Sequence, residues 1–458
     1  MTTTSSAAAQ SAQAAQAARL SDSDIDARFA DVMRASRRQR FWPIGLAIGT
    51  VLYLIYAWIA FDMTSLVQQS RMDRAAILAL DSFAYKVHVT KDLRGDGAVS
   101  LSIEGARQGG FDEDPSWVQR RGDAVEVDLG DGYRVTLQDA SLTLLAPGLE
   151  PIRARVGEDG AVSMTGPQPE WLKVNERRFE ARPELFKRVR MTRTRIEVHR
   201  YFYGWENFWF DYSSPFYGMS LMQAWSYAGD APQIEEGASN RALLLENIWR
   251  NQEWQHGEVF KALLETILMA LLGTMVASLV GLPLAFAAAS NFNRLTLVRI
   301  AIRRVFDFLR GIDNLIWSLI FIRAFGLGPL TGIMAIAFTD TGTLGKLYSE
   351  ALENIDGRQV DGVKSTGASS LQRYRFGVIP QILPVFIAQS LYYLESNTRS
   401  ATVIGALGAG GIGLKLVETL RTGQDWENTF YIILLTLAVV IAMDIFSGWL
   451  RRKLIKEG

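Results

Sequence analysis

Five polar side chains stand inside or beside long apolar runs of this sequence: Arg323, Asp340, Glu395, Asn397 and Arg399. A charge in hydrocarbon is costly, so such groups normally face a bundle interior or an aqueous path. Arginine presents a fork of N–H donors to an oxyanion, so Arg323 or Arg399 could meet an anionic oxygen crossing a membrane. The five are candidates for lining a translocation pathway. Glu395 and Arg399 are also four apart, the spacing of an ion pair on one helix, which is a purely structural alternative.

Other chemistries find no support. There is no cysteine, so neither disulfide nor thiolate chemistry arises. His88, His199 and His256 lack the spacing of a metal site. No Ser/His/Asp or His-rich constellation suggests a membrane-embedded enzyme, so no catalytic residue, metal or cofactor is expected. Gly408, Gly410 and Gly413 fit G-x-G-x-x-G, but a dinucleotide site needs a strand before it and a βαβ unit around it. These glycines follow an apolar helix, where they would let backbones bend or pack closely.

The elements that position these residues are membrane spans. The composition, 48% hydrophobic and 21% charged, is ordinary, but the two kinds of residue are segregated. Formal net charge is zero, which gives no general case for nucleic-acid binding. Residues 1–40 read as a cytoplasmic tail: 1–19 disordered, then a short amphipathic helix over 21–36 with Ile25, Phe29, Val32 and Met33 on one face. Residues 41–61 are uncharged and long enough for one span, with Arg37, Arg38 and Arg40 just before it on the cytoplasmic side. Thr266–Ala289 forms a second span, with Gly273, Ala277 and Gly281 making a flat stripe for another helix. That neighbour is either a helix of the same subunit or one of a partner subunit.

The arginines at 294, 299, 303, 304 and 310 mark a cytoplasmic loop or surface helix. Two further spans form a hairpin with its tip at Gly326-Leu327-Gly328-Pro329. Phe376–Leu394 and a run from Thr429 to about Leu450 complete six, with Arg451, Arg452 and Lys453 placing the C-terminus in the cytoplasm. Residues 62–258 then form an insert outside the membrane. Alternating segments such as Val125–Leu129 and Tyr133–Leu137, joined through Gly130-Asp131-Gly132, make it a mostly-β domain over 83–165. The aromatics at 201–227 suit its core or a membrane-interface belt, with partner docking as the alternative.

The polar segment Asp361-Gly362-Val363-Lys364-Ser365-Thr366-Gly367, with Gly377-Val378-Ile379-Pro380 nine residues on, resembles the EAA loop of binding-protein-dependent ABC importers, E-A-A-x3-G-x9-I-x-L-P. Gly367 and Pro380 are in register; Asp361 replaces the Glu, Gly362 and Val363 the two Ala, Gly377 the Ile and Ile379 the Leu. Leu264-Glu265-Thr266, Gly326-Leu327-Gly328-Pro329-Leu330, Gly367-Ala368-Ser369 and the run from Leu391 to Gly413 are similar to phosphonate-importer permeases. The resemblance covers about Val259 to Leu454 and omits the insert. It implies a MetI-like α-helical core at 259–458 with a coupling loop at 350–380. A helix over roughly Val360–Leu371 would present Asp361, Ser365 and Ala368 to a separate ATPase, with Gly362, Gly367 and Pro380 shaping the contact.

The same resemblance implies a permease in a bacterial inner membrane that imports phosphonate or a related phosphorus oxyanion by alternating access. Its implied partners are two ATPase copies, a periplasmic or lipid-anchored binding protein, the bilayer and a second permease copy. No G-x4-G-K-[ST] occurs, so ATP hydrolysis falls to another chain. The alternatives are a permease for another small solute, for example one like methionine, and a membrane sensor whose insert binds a ligand.

Overall fold

The computed structural model describes residues 30–68, 72–94, 97–106, 111, 113–235, 237–423 and 425–456. It divides into two compact units, Met1–Ala75 and Ala76–Gly458. The expected tail at 1–19 and the first part of the amphipathic helix lie outside the described residues. In the first unit, α1 (Ala30–Ala60) carries the apolar stretch Trp42–Ala60, followed by α2 (Met63–Gln68). Trp42, Leu46, Leu52, Tyr53 and Ile59 are all exposed, as on a helix whose solvent is lipid. Helix α3 (Met72–Asp81) straddles the division.

The second unit opens with twelve strands: β1 (Ala84–Asp92), β2 (Val99–Ile103), β3 (Val118–Arg121), β4 (Ala124–Gly130), β5 (Tyr133–Gln138), β6 (Ser141–Leu145), β7 (Ile152–Val156), β8 (Val162–Thr165), β9 (Leu172–Asn175), β10 (Arg178–Glu184), β11 (Lys187–Thr192) and β12 (Arg195–Tyr203). They form two six-stranded sheets, β2-β1-β12-β11-β10-β9 and β3-β4-β5-β6-β7-β8. One core joins both: Val127, Val135 and Leu144 of the second sheet and Val89, Val189 and Val198 of the first are completely buried. The expected β4–β5 hairpin forms, closed by Asp131 and Gly132 in left-handed conformations. The β region runs to 203, well past 165. Strands β10–β12 hide their alternation behind arginines at 178, 182, 188, 190, 195 and 200, which sit at outward or partly buried positions while Phe179, Val189 and Ile196 face in.

Two short helices follow, α4 (Leu221–Asp230) and α5 (Asn240–Trp249). Then come α6 (His256–Ala288), α7 (Thr296–Gly311), α8 (Asn314–Phe325), α9 (Pro329–Glu353), α10 (Gly357–Ser365), α11 (Ser370–Arg373), α12 (Ile379–Ile404), α13 (Gly411–Thr422) and α14 (Trp426–Lys456). Single π-helical turns, Tyr374–Val378 and Gly405–Ala409, flank α12. Among the described residues four stretches are long and apolar enough to cross a membrane: Trp42–Ala60, His256–Ala288, Ser370–Ala409 and Trp426–Leu454. Helix α6 starts ten residues before the expected span, and α8 is a shorter apolar helix. The hairpin turn after α8 lies where the sequence placed it, with Gly326 and Gly328 at φ +91° and +142°.

Small residues set the packing of α9 against two helices. A Cβ on Gly273 would come within 2.7 Å of the Ile336 side chain, and one on Gly281 within 3.2 Å of the Gly345 backbone. The Gly273–Ala277–Gly281 stripe therefore faces a helix of the same subunit. On another side of α9, a Cβ on Gly342 would lie 2.7 Å from the Phe306 carbonyl oxygen of α7. Phe306 itself is fully buried, so the arginine-rich 294–310 stretch is an amphipathic helix docked on the bundle.

Asn251 ties the 207–208 segment to the stretch that leads into α6. Its Nδ2 donates to the Asn207 and Phe208 carbonyls, and its Oδ1 accepts from the Glu253 and Trp254 amides. His256 lies 2.7 Å from the Phe208 carbonyl through Nε2 and 2.8 Å from the Tyr431 hydroxyl through Nδ1. A carbonyl can only accept, so Nε2 carries the proton and a neutral ring accepts from Tyr431 at Nδ1. Trp205, Phe208, Trp254 and Tyr431 pack edge-on and tilted around this bond. Trp205 and Phe208 of the aromatic segment thus form the seam with α14, whereas Phe210 and Phe216 pack in a core with α4 and α5.

Candidate functional site

Three motif segments of the sequence meet at the end of the bundle nearest the insert. After α12 the chain turns through Gly408, Gly410 and Gly411, all at positive φ. The first amides of α13 are then capped from α6: Gly411 N–H donates to Glu265 Oε2 at 3.1 Å and Ile412 N–H to Thr266 Oγ1 at 2.9 Å. Free amides at a helix start need acceptors, and a carboxylate there also meets the positive end of the helix dipole. A Cβ on Gly413 would overlap the Thr402 carbonyl, and one on Gly408 would strike Leu327 of the α8–α9 turn. The G-x-G-x-x-G spacing thus serves a tight turn from helix to helix, with no strand before it.

Midway through the bundle, polar side chains from α6, α9 and α12 meet. Asn397 Nδ2 donates to Asp340 Oδ2 and, at 2.7 Å, to Thr274 Oγ1. All three are buried. A second layer joins Tyr348 to Ser390 at 2.7 Å, and Ser390 to Ser278 at 3.0 Å. Residues 274 and 278 are one turn apart, and 340 and 348, like 390 and 397, about two turns, so the layers are stacked along the bundle. Such bonds across helices hold the three at a fixed rotation. Thr274, Ser278, Tyr348 and Ser390 escaped the sequence reading because single hydroxyls in apolar runs carry no charge; their faint signal is that they recur at helical spacing.

The charged candidates divide. Asp340 and Asn397 are brought together. Glu395 accepts from Arg399 at 3.3 Å, the i,i+4 pair, with Arg399 largely exposed. Arg323 is exposed in the last turn of α8 and, among the described residues, makes no hydrogen bond or ion pair with the other four.

The opposite end of the bundle carries the polar element at 354–380. Asp356 caps α10 by accepting from Arg358 N–H at 2.9 Å, and Gln381 at the foot of α12 donates to the Gly377 carbonyl and accepts from Asp356 N–H at 2.8 Å. A Cβ on Gly377 would come within 3.2 Å of Val360 Cα, so α10 lies on the π turn. Pro380 has no N–H to give, and Ile379 N–H reaches back to the Tyr374 carbonyl in the wider π pattern. The single helix expected over Val360–Leu371 is broken. Helix α10 ends at Ser365, Gly367 takes φ +80° and closes onto the Lys364 carbonyl at 3.1 Å, and Ser369 begins α11 with a capping box to Gln372. Helix α10 buries no residue; Asp361, Gly362 and Ser365 are exposed, as is Gly367, and Ala368 is partly covered. Nothing lies within 4 Å of a Cβ built on Gly362 or Gly367. The element is a polar helical hairpin held at its base and bare on its outer side.

A helical bundle with apolar spans, cross-helix polar layers and an exposed helical hairpin at one end is the form of a transport permease. Residues 281–456 match the binding-protein-dependent transport system inner membrane component family. The chain is 34% identical over 238 residues to the phosphite transport system permease protein PtxC of Stutzerimonas stutzeri, covering 52% of this chain and 86% of that one. It is 43% identical over 123 residues to the cryptic phosphonate transport system permease protein PhnE2 of Escherichia coli, covering 27% of this chain and the whole of that one. It is 32% identical over 236 residues to the phosphate-import permease protein PhnE of Mycolicibacterium smegmatis, covering 52% of this chain and 44% of that one. The chain thus spans under half the length of this mycobacterial relative. It belongs to the binding-protein-dependent transport permease family.

Proposed function

We propose that this chain is the membrane subunit of an ATP-driven importer for phosphonate or a related phosphorus oxyanion. The observation that carries this reading is the match to phosphite and phosphonate permeases. In this reading α7 with α8, and α9, add to the four long apolar stretches to give six crossings. At 25 residues α9 rises about 37 Å, more than the ~30 Å hydrocarbon core, although Asp340, Lys346, Glu350 and Glu353 lower its hydropathy. Both termini lie in the cytoplasm and the insert lies outside.

Two ATPase subunits engage the α10–α11 hairpins of two copies of this chain, and an external binding protein delivers the cargo. ATP binding draws the hairpins together, and the rigid α6–α9–α12 unit rocks to open the path on one side and then the other. Selectivity rests mainly with the binding protein. The Asp340–Asn397–Thr274 layer supplies the polar lining or its support. Arg399 and Arg323 are candidate cations for such a path.

Two tests apply. Co-expressed with its ATPase, the chain should purify as a complex with two copies of each; isolation with a different second permease would replace the homodimer with a heterodimer. The chain has no cysteine, so Arg120→Cys and Lys364→Cys each give a unique label site. Impermeant reagent should label the first in intact cells and the second only in opened ones. The reverse pattern would invert the topology.

A further inference from the structure

The insert carries polar chemistry that a transport core does not need. Alternation along β1, β11 and β12 buries Val87, Val89, Val189, Ile196 and Val198 completely. It therefore turns His88, Arg188, Arg190, Glu197 and His199 to the other face of that sheet. There the strand register sets His88 opposite His199 and His199 opposite Arg188. The two imidazole rings stack with centroids 4.0 Å apart. This face looks across a cleft of about 780 Å³ toward Glu418 and Asp425, at the end of α13 and the start of α14.

The hydrogen bonding of the cleft is incomplete on the sheet side. His199 is 94% buried, being 6% exposed, and its Nε2 has no partner; Arg190 Nε likewise has none. His88 Nε2 comes only within 3.5 Å of Glu104. Buried donors are seldom left unmatched, and a cluster of them calls for an acceptor. Part of the positive charge is balanced: Arg188 forms a fork with Glu180, and Arg190 and Arg195 share Glu197. The facing carboxylates are also engaged, Glu418 by Lys415 and Asp425 by Asn428. His88, Arg188, Arg190 and His199 all line this one cleft. Burial, followed by His88, Arg188, Lys86 and Arg190, holds His199 well below the usual imidazole range. No group of three or more His, Cys, Asp or Glu that could hold a metal occurs among the described residues.

We propose that this cleft binds a small oxyanion through Arg188, Arg190 and the His88–His199 pair, and so holds cargo on the insert beside the outer end of the bundle. The ligand class rests on the transport reading; the site itself rests on the sheet face. It would keep anion near the entrance while the bundle is closed to it.

The test uses the purified full chain in detergent, without ATPase or binding protein, titrated with methylphosphonate, phosphite and phosphate by calorimetry. Saturable binding of at least one is expected. Arg190→Gln and His199→Gln should each weaken it about tenfold or more, by loss of a charge-assisted bond. Arg120→Gln, on the other sheet and paired with Asp114 at 2.6 Å, should leave it unchanged. Circular dichroism and gel filtration check that the variants fold; Arg190→Lys, less disruptive, should retain part of the affinity. No binding of any of the three anions, or equal binding by all variants, overturns the proposal, as does binding of zinc alone. ATP-driven uptake by the assembled complex is measured separately. Uptake without anion binding by the lone chain defeats the site and leaves the transport reading intact. Anion binding without oxyanion uptake defeats the transport reading and leaves the site.

Discussion

Gly367 separates two roles that a sequence motif cannot tell apart. Its φ of +80° is unfavourable for most residues, and its surroundings are open, with nothing within 4 Å of an added Cβ. Gly367→Ala therefore meets no clash in the chain itself; its cost is the left-handed backbone, about 1–2 kcal/mol. That cost falls on an exposed turn after α10, a helix that buries no residue, so the bundle should keep its yield and thermal midpoint. Asparagine tolerates the left-handed region better, so Gly367→Asn keeps the turn while adding a side chain. Gly367→Asp adds volume and charge.

If the hairpin is the ATPase contact, all three should express normally. Asn and Asp should then lower substrate-stimulated ATP hydrolysis tenfold or more, about 1.4 kcal/mol or more in coupling. The assay is ATPase rate with and without binding protein and cargo, in nanodiscs, with expression measured in parallel. Full stimulation in Gly367→Asn and Gly367→Asp would refute the docking role. Reduced yield in Gly367→Ala with normal coupling in Gly367→Asn would leave only a turn-closing role.

Further outcomes follow from the packing and the charges. Asn397→Ala removes two cross-helix hydrogen bonds, worth together about 1–3 kcal/mol at membrane values, and Asp340→Asn should recover part of that loss in a double-mutant cycle on thermal unfolding; simple additivity would show the pair is not coupled. Gly281→Val pushes methyls into the Gly345 backbone and should cost about 1–3 kcal/mol, whereas Gly448→Val, with open space around it, should be nearly silent in the same assay. Burial above all depresses the folded pKa of His199 below the ordinary imidazole value of about 6.5, so its contribution is present above that pH and is lost as pH falls toward the folded value. In anion-free buffer the insert should unfold more easily as pH drops below about 6.5, and His199→Gln should flatten that slope; an unchanged slope in the variant would assign the effect elsewhere.

The four long apolar stretches and the turn at Gly326–Pro329 were legible because uncharged length and Gly-Pro punctuation are local signals. The cross-strand partner of His88 was not, since strand register joins residue 88 to residue 199 through a sheet that no short window contains. Strands β10–β12 were hidden for a related reason: their arginines made the segment look polar throughout, while every second residue was core. In the bundle, Glu265 and the glycines at 408–413 were visible as separate motifs, yet their contact, a carboxylate capping α13, required the fold. The polar segment at 354–380 was expected as one helix over Val360–Leu371 and is two, because left-handed Gly367 and the Ser369 cap outweigh the helical spacing around them.

The most direct measurement is uptake into proteoliposomes holding this chain with its ATPase, binding protein outside and ATP inside. The account predicts that radiolabelled phosphonate or phosphite accumulates against its gradient, that accumulation needs both ATP and binding protein, and that Gly367→Asp abolishes it while the complex still assembles. Accumulation of neither anion, with ATP hydrolysis stimulated instead by an unrelated solute, would contradict it.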